Sequence, residues 1–198
     1  SALKESSSYF MSRVSLSIYT ATNTFLIGII LGNTAVGYFV AAEKLYQAYT
    51  ALFGTLAQTL YPYMVKMRNF SLWKKVLLSA SSTNVLIIIT LILLAHPLIG
   101  ILYGKDELGE TTIVFQILML ATIITFPSIL LAYPLLGASG YLRSVNYSIV
   151  YASVFHLIGL GVLIWSNGFN LVSVAILVII SESFVLAYRF YCYKKYLL

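Results

Sequence analysis

Cysteine, charge and acid are all scarce in this chain, and each scarcity closes off a class of protein. Cys192 is the only cysteine, which excludes an internal disulfide and any cysteine-rich metal cage. Charged residues make up 9% of the 198 positions and hydrophobic residues 60%, against roughly 25% and 45 to 50% in ordinary globular domains. A soluble domain of this length cannot keep that much apolar surface from water. There is no HExxH run, no pair of carboxylates placed for acid–base work, no Ser-His-Asp set in a loop context and no glycine-rich phosphate loop. Hydrolytic and nucleotide-dependent chemistry therefore lacks its parts, and no metal or cofactor is expected. Ser1 to Ser8 shows no signal-peptide order of basic, apolar and cleavage regions. With serine in the first position, the chain is expected to be a piece of a longer protein.

What the chain has instead is long charge-free runs: 14–42, 45–65, 76–104, 111–142 and 144–181. A membrane-crossing helix needs about 20 mainly apolar residues. The last run is long enough for two crossings, with Ser166-Asn167-Gly168-Phe169-Asn170 as the turn between them. The fold class is all-α, a polytopic integral membrane bundle of six transmembrane helices at about 11–31, 35–67, 72–103, 111–133, 142–165 and 171–191. Gly32-Asn33-Thr34 reads as a turn that caps the second helix, and Pro62 as a kink in it. His96-Pro97 is expected to break the third helix before a short interfacial stretch, and Pro127 to kink the fourth. Pro134 to Tyr141 is expected to turn the chain back. No linker divides the chain, so a single membrane lobe is expected.

The charges sort by side. Lys4, Arg13, Lys66, Arg68, Lys74, Lys75, Arg143, Arg189, Lys194 and Lys195 bracket alternate ends of the apolar runs. Asp106, Glu107 and Glu110 share one loop with Lys105. Since basic loops stay in the cytoplasm, both ends of the chain are expected there, with the loops at Asn33, Asp106 and Asn167 outside. This bias accounts for the net charge of +6, and nucleic acid is not an expected partner. Many of the 16 tyrosines fall near headgroup depth, whereas Tyr19, Tyr46, Tyr49 and Tyr151 lie inside spans and need a polar partner or cavity. The sequons at Asn69 and Asn146 fall near the cytoplasmic side and read as chance, and Gly28 with Gly32 forms a GxxxG packing pattern of low specificity.

Ionisable groups at bilayer depth are costly and mark function by default. Glu43, Lys44 and Glu182 are such groups, with His156 next. On the second helix Glu43, Gln47, Thr50, Gly54, Gln58 and Tyr61 recur every three or four residues and form one polar stripe. Arg13, Ser17, Thr20 and Thr24 form another on the first helix, with Asn23 to one side. Two readings stand for these stripes: walls of an aqueous cavity, or hydrogen-bonded contacts between packed helices. Lys44 either snorkels to the interface or faces ligand. Arg13 and Arg143 either anchor topology or bind ligand. Glu182 either pairs with Arg189, two turns along the same face, or holds a coupling ion. His156 is either a helix contact or a proton relay.

The run Ala35-Val36-Gly37-Tyr38-Phe39-Val40-Ala41-Ala42-Glu43-Lys44, followed by Leu60-Tyr61-Pro62, resembles the second-half signature of bacterial polysaccharide flippases, such as those for O-antigen. These belong to the superfamily of multidrug, oligosaccharidyl-lipid and polysaccharide exporters. His96-Pro97-Leu98-Ile99-Gly100-Ile101-Leu102-Tyr103-Gly104 and Leu136-Gly137-Ala138-Ser139-Gly140 resemble two further motifs of that half, in the same order. The resemblance implies the C-terminal lobe of a two-lobe transporter in the bacterial inner membrane, with the N-terminal half as partner. It implies an oligosaccharide on a lipid pyrophosphate as substrate, moved by alternating access with membrane lipid around it. On that implication Arg13 and Lys44 hold the phosphates, Asn23, Gln47, Gln58 and tyrosines meet the sugar, and Arg143 is a further substrate-binding residue. Glu43 or Glu182 then binds the coupling proton or sodium ion. The competing readings are a drug or metabolite cation antiporter of the same superfamily, a membrane polysaccharide polymerase or acyltransferase, and a purely structural subunit.

Overall fold

The computed structural model describes residues 2–104 and 108–198, with side chains for 7–104 and 109–198. The acidic centre of the expected outer loop, Lys105, Asp106 and Glu107, and the side chain of Lys4 lie outside the described residues. Among the described residues the chain is all-helical: α1 (Ala2–Leu31), α2 (Asn33–Met67), α3 (Phe70–Leu93), α4 (Ala95–Tyr103), α5 (Leu108–Leu130) continued by a π-helical segment (Leu131–Gly137), α6 (Leu142–Trp165) and α7 (Leu171–Leu197). Five helices are long and apolar enough to cross a membrane: Ser7–Leu31, Phe70–Leu93, Gly109–Gly137, Leu142–Trp165 and Leu171–Leu197. The sixth long helix, α2, has 35 residues, about 50 Å at 1.5 Å each, but its polar side chains set it apart from those five.

The bundle is built around α5, which packs against α7, α2 and α3, while α1 packs on α6 and α6 on α7. More than half of the α5 span is buried, 56% against 11% for α1 and α3, so α5 is the axis and those two are flanks. Val114, Phe115, Leu118 and Met119 of α5 meet Phe39, Ile88, Val174 and Val178 in the main core. Large apolar side chains face outward all round: Phe25, Ile29, Leu86, Leu93 and Ile158 are each more than 60% exposed. In water such a surface would aggregate; in a bilayer it is the contact with acyl chains.

The α1–α2 turn is tighter than the sequence suggests. Gly32 alone makes it, at φ 90° and ψ 173°, a conformation open essentially to glycine only. Gly28 meets Val36 at an ordinary distance and Gly32 meets nothing, so this GxxxG pair serves the turn and not a close helix contact.

The break before α4 falls at Leu94, ahead of the His96-Pro97 pair. The ring of Pro97 collides with the carbonyl four residues back, so the helix stops there, and Pro97 then sits in the first turn of α4, where its missing N–H is no loss. Gln116 of α5 donates to the Ile92 carbonyl at the break, 3.1 Å.

Pro134 does not end its helix. Unable to donate to the Leu130 carbonyl, the chain widens into i to i+5 bonding, as in Ala138 N–H to Tyr133 O at 2.9 Å, and runs to Gly137. The Trp73 indole N–H donates to the Leu130 oxygen, 3.0 Å. Helix α7 likewise overruns its expected end at 191, because Cys192, Tyr193 and Leu197 pack inward while Lys194 and Lys195 lie over neighbouring aromatic rings. Helix α1 starts well before residue 11, and Ser8 there accepts a bond from Asn146 Nδ2, 3.1 Å. Asn146 is thus a buried helix joint, and Asn69 caps α3 by accepting from Leu72 N–H at 2.9 Å.

Candidate functional site: a polar cavity among five helices

Helices α1, α2, α5, α6 and α7 line an open cavity of about 640 Å³, within the range of ligand-binding sites. Its polar groups come from every wall. Helix α1 gives Arg13, Ser17 and Thr20, helix α2 gives Glu43, Gln47 and Thr50, and α7 gives Ser181, Glu182 and Arg189. Tyr19, Tyr46, Thr125 and Ser153 fill the spaces between them. The positions along each helix show why these residues converge. Steps of three and four put one side chain per turn on the same face, so Arg13, Ser17 and Thr20 look the same way, as do Glu43, Gln47 and Thr50.

Three hydroxyls of these stripes bond within their own helices. Ser17 donates to Arg13 O at 3.1 Å, Thr20 to Leu16 O at 3.1 Å and Thr50 to Tyr46 O at 3.0 Å, each within its own helix. They are not bridges between helices. Their oxygen lone pairs line the cavity instead, and interhelical joints are made by other residues. One joint is Tyr49 Oη to Asn84 Oδ1 at 2.7 Å, with Asn84 Nδ2 donating to Thr122 O at 3.3 Å.

Charge is distributed along the cavity. Arg13 and Arg189 occupy the end nearest the basic loops, and Tyr133 beside them lies in the field of both. Glu182, one face and two turns from Arg189, is about 10 Å further along α7 at 1.5 Å per residue. Glu43 lies with it, since Tyr19 and Tyr46 lie in the field of both carboxylates. Glu182 interacts with the Thr125 hydroxyl, which is 3.3 Å from Tyr46 Oη, and Glu43 with Gln47.

Arg189 is 6% exposed and is held by neutral oxygens. Its Nε donates to Ser148 Oγ at 3.0 Å, and its Nη1 to Ser128 O at 3.0 Å and Ser128 Oγ at 2.9 Å. Those bonds use three of the five N–H groups and leave both Nη2 hydrogens for the cavity that Arg189 lines. The sequence leaves open whether Glu182 pairs with Arg189 or holds a coupling ion. The guanidinium bonds directly to serines on α5 and α6, while Glu182 and Arg189 lie in each other's field.

Of the other residues singled out from sequence, Arg13, Gln47, Glu43 and Glu182 stand on the cavity wall. Arg13 is additionally bonded through Nε to Tyr9 Oη, 3.0 Å. Asn23 reaches the wall but is almost fully buried, with its Oδ1 2.8 Å from His156 Nε2. His156 Nδ1 is 2.9 Å from Ser181 Oγ, and the Tyr19 ring meets the imidazole edge-on. His156 is therefore a joint between α1, α6 and α7 just behind the wall. Lys44, Gln58 and Arg143 are exposed and lie outside the cavity. The α2 stripe divides accordingly: its first half faces the cavity, while Tyr61 packs at Gly137. Of the tyrosines inside spans, Tyr19 and Tyr46 meet the cavity, and Tyr151 lies on the outer surface stacked on Tyr147. Among the described residues no group of three or more His, Cys, Asp or Glu is placed to hold a metal ion.

Residues 1–68 match the model of a family described as polysaccharide biosynthesis protein. Those residues are α1 and α2, the helices that supply Arg13, Ser17, Thr20, Glu43, Gln47 and Thr50 to the cavity. Over that third of its length the chain is similar to proteins of polysaccharide biosynthesis. No curated protein and no solved structure matches it.

Proposed function

We propose that this chain is one membrane lobe of a flippase that carries a lipid-linked oligosaccharide, such as an O-antigen repeat unit, across the bacterial inner membrane by alternating access. The observation that carries the reading is a cavity whose mainly apolar walls carry two arginines, two glutamates, Gln47 and several hydroxyls, with two of those walls made by the helices similar to polysaccharide biosynthesis proteins. A sugar on a lipid pyrophosphate presents hydroxyls and negative charge that cannot enter hydrocarbon unaided. Gln47, Thr50 and Ser17 offer hydrogen bonds to hydroxyls. Arg13, whose Nε alone is bonded among the described residues, offers its two terminal nitrogens to phosphate oxygens, and Arg189 offers the two hydrogens of Nη2. The lipid tail stays in the bilayer, and the open side of the cavity faces a second lobe. Glu43 and Glu182, set apart from the arginines, bind the proton or sodium ion that drives the cycle. Arg13 and Arg189 lie together at one end of the cavity, and that clustering favours an anionic cargo over the cationic drugs of related antiporters.

The test uses the complete transporter at matched protein level, with surface polysaccharide as the readout. Arg13→Ala and Arg189→Ala are each expected to reduce export at least tenfold, while Arg143→Ala and Gln58→Ala, outside the cavity, leave it within twofold. Equal losses in all four, or none, would overturn the reading. For the coupling role, Glu182→Gln and Glu43→Gln are expected to remove the dependence of transport on the ion gradient in vesicles, and unchanged dependence in both rejects it.

A further inference from the structure

Helix α7 has two working faces. Glu182, Val185 and Arg189 face the cavity, whereas Ser183, Leu186 and Phe190 line a separate groove on the outside of the bundle between α3, α5 and α7. This groove, about 460 Å³, is walled by Trp73 and Leu77 of α3, Pro127 of α5 and Leu131 of its π-helical continuation, and Phe190 and Tyr193 of α7. The Trp73 and Ser183 polar groups are already used. The Trp73 N–H donates to Leu130 O at 3.0 Å and the Ser183 hydroxyl to Ile179 O at 2.8 Å, so a chain lying there meets hydrocarbon and ring faces. Between Ser183 and Tyr193 it runs about 15 Å along α7, at 1.5 Å per residue.

One end of the groove is cationic. The Lys194 ammonium sits 4.9 Å from the ring of Phe190, and Lys74 and Lys75 follow Trp73, whose ring is 6.2 Å from Tyr193. The segments that meet there, 61–77 and 183–198, contain no acidic residue. An apolar slot that ends at ammonium groups matches a lipid whose tail is apolar and whose head is an anion. We propose that the groove holds one acyl chain of an anionic phospholipid, with its phosphate at Lys194 and Lys74. The site is separate from the cavity and independent of what the cavity carries. It clamps α3 to α7 across α5 from the lipid side.

Trp73 reports on the site directly. In the complete protein with every tryptophan but Trp73 replaced by phenylalanine, reconstituted in phosphatidylcholine vesicles, brominated-acyl phosphatidylglycerol or brominated-acyl phosphatidylcholine is added in increasing fraction. Bromine quenches indole fluorescence only at short range. Half-quenching is expected at least threefold lower in mole fraction for phosphatidylglycerol. Lys74→Gln with Lys194→Gln is expected to erase that preference without moving the Trp73 emission maximum, which monitors folding. Ala187→Phe, which fills the groove, is expected to weaken quenching by both lipids. Equal dependence on the two lipids overturns the anionic site, and absence of quenching by either shows that another part of the protein occupies the groove, which also overturns it.

Discussion

Arg189 and His156 carry the buried polarity of the bundle, and both depend on partners from other helices. Ser148 accepts from Arg189 while its own hydroxyl donates to Val145 O at 2.6 Å, so Ser148→Ala leaves Nε without an acceptor at a nearly buried charge. A hydrogen bond to a charged group contributes about 1.5–3 kcal/mol, and Ser148→Ala should lower thermal stability in detergent by that order. Around His156 the bonds link neutral or singly charged groups inside a membrane, where such pairs average about 0.6 kcal/mol and reach about 1.7 kcal/mol. A double-mutant cycle of His156→Leu with Asn23→Leu should give a coupling in that range; zero coupling would break the joint assigned to them. Part of this site was legible in the sequence, because a polar side chain every third or fourth residue on α1 and α2 can be read from spacing alone. Arg189 was legible as a basic flank of the last span and as a neighbour of Glu182. Its real partners, Ser128 and Ser148, lie 61 and 41 positions away, and an unremarkable serine in an apolar run carries no signal of what it will meet. Asn84 was silent for the same reason.

Helix boundaries show where local chemistry fixes an element and where packing overrides it. The limits of α6 at 142 and 165 agree with the sequence reading, since Arg143 marks one end and the Asn167-Gly168 turn the other, with Asn170 capping α7 by accepting from Ser173 N–H at 2.9 Å. Pro134 misled because proline normally closes a helix, and a switch to i to i+5 bonding leaves no mark in periodicity. The end of α7 misled because lysines were read as leaving the membrane, although a lysine stem can lie along aromatic rings while the helix continues. Gly159 is a further element-scale feature. A Cβ there would come within 2.5 Å of Leu177 Cδ1, so α6 and α7 approach closely at this point. Gly159→Ala displaces only the end of a flexible side chain and should be tolerated. Gly159→Val overpacks the contact and should cost about 1–3 kcal/mol. Leu177→Ala in the Gly159→Val background should recover part of that loss in thermal unfolding, and no recovery would show that the strain lies elsewhere. Gly32→Ala meets no neighbour, so its expected cost of about 1–3 kcal/mol comes from backbone conformation alone.

At the scale of the whole molecule the question is which surfaces meet lipid and which meet water. Leu86 on α3 and Ile158 on α6 are 67% and 61% exposed on apolar faces, whereas Thr20 and Gln47 stand on the cavity wall. A thiol reacts as its thiolate, which forms in water and not in hydrocarbon. The single native cysteine is buried, so replacing Cys192 with serine gives a background in which an introduced thiol reports its own surroundings. Thr20→Cys and Gln47→Cys should be modified by a charged, membrane-impermeant thiosulfonate, and Leu86→Cys and Ile158→Cys should not. In the same background the orientation expected from the basic loops has Asn167→Cys outside and Ser71→Cys inside; on it only the first should react in intact cells and both after permeabilisation, and the reverse pattern would invert that orientation. Should Leu86→Cys react as fast as Thr20→Cys, α3 does not face lipid. Should Thr20→Cys and Gln47→Cys stay silent even in opened membranes, the cavity is dry, and a polar cargo has no path through this lobe.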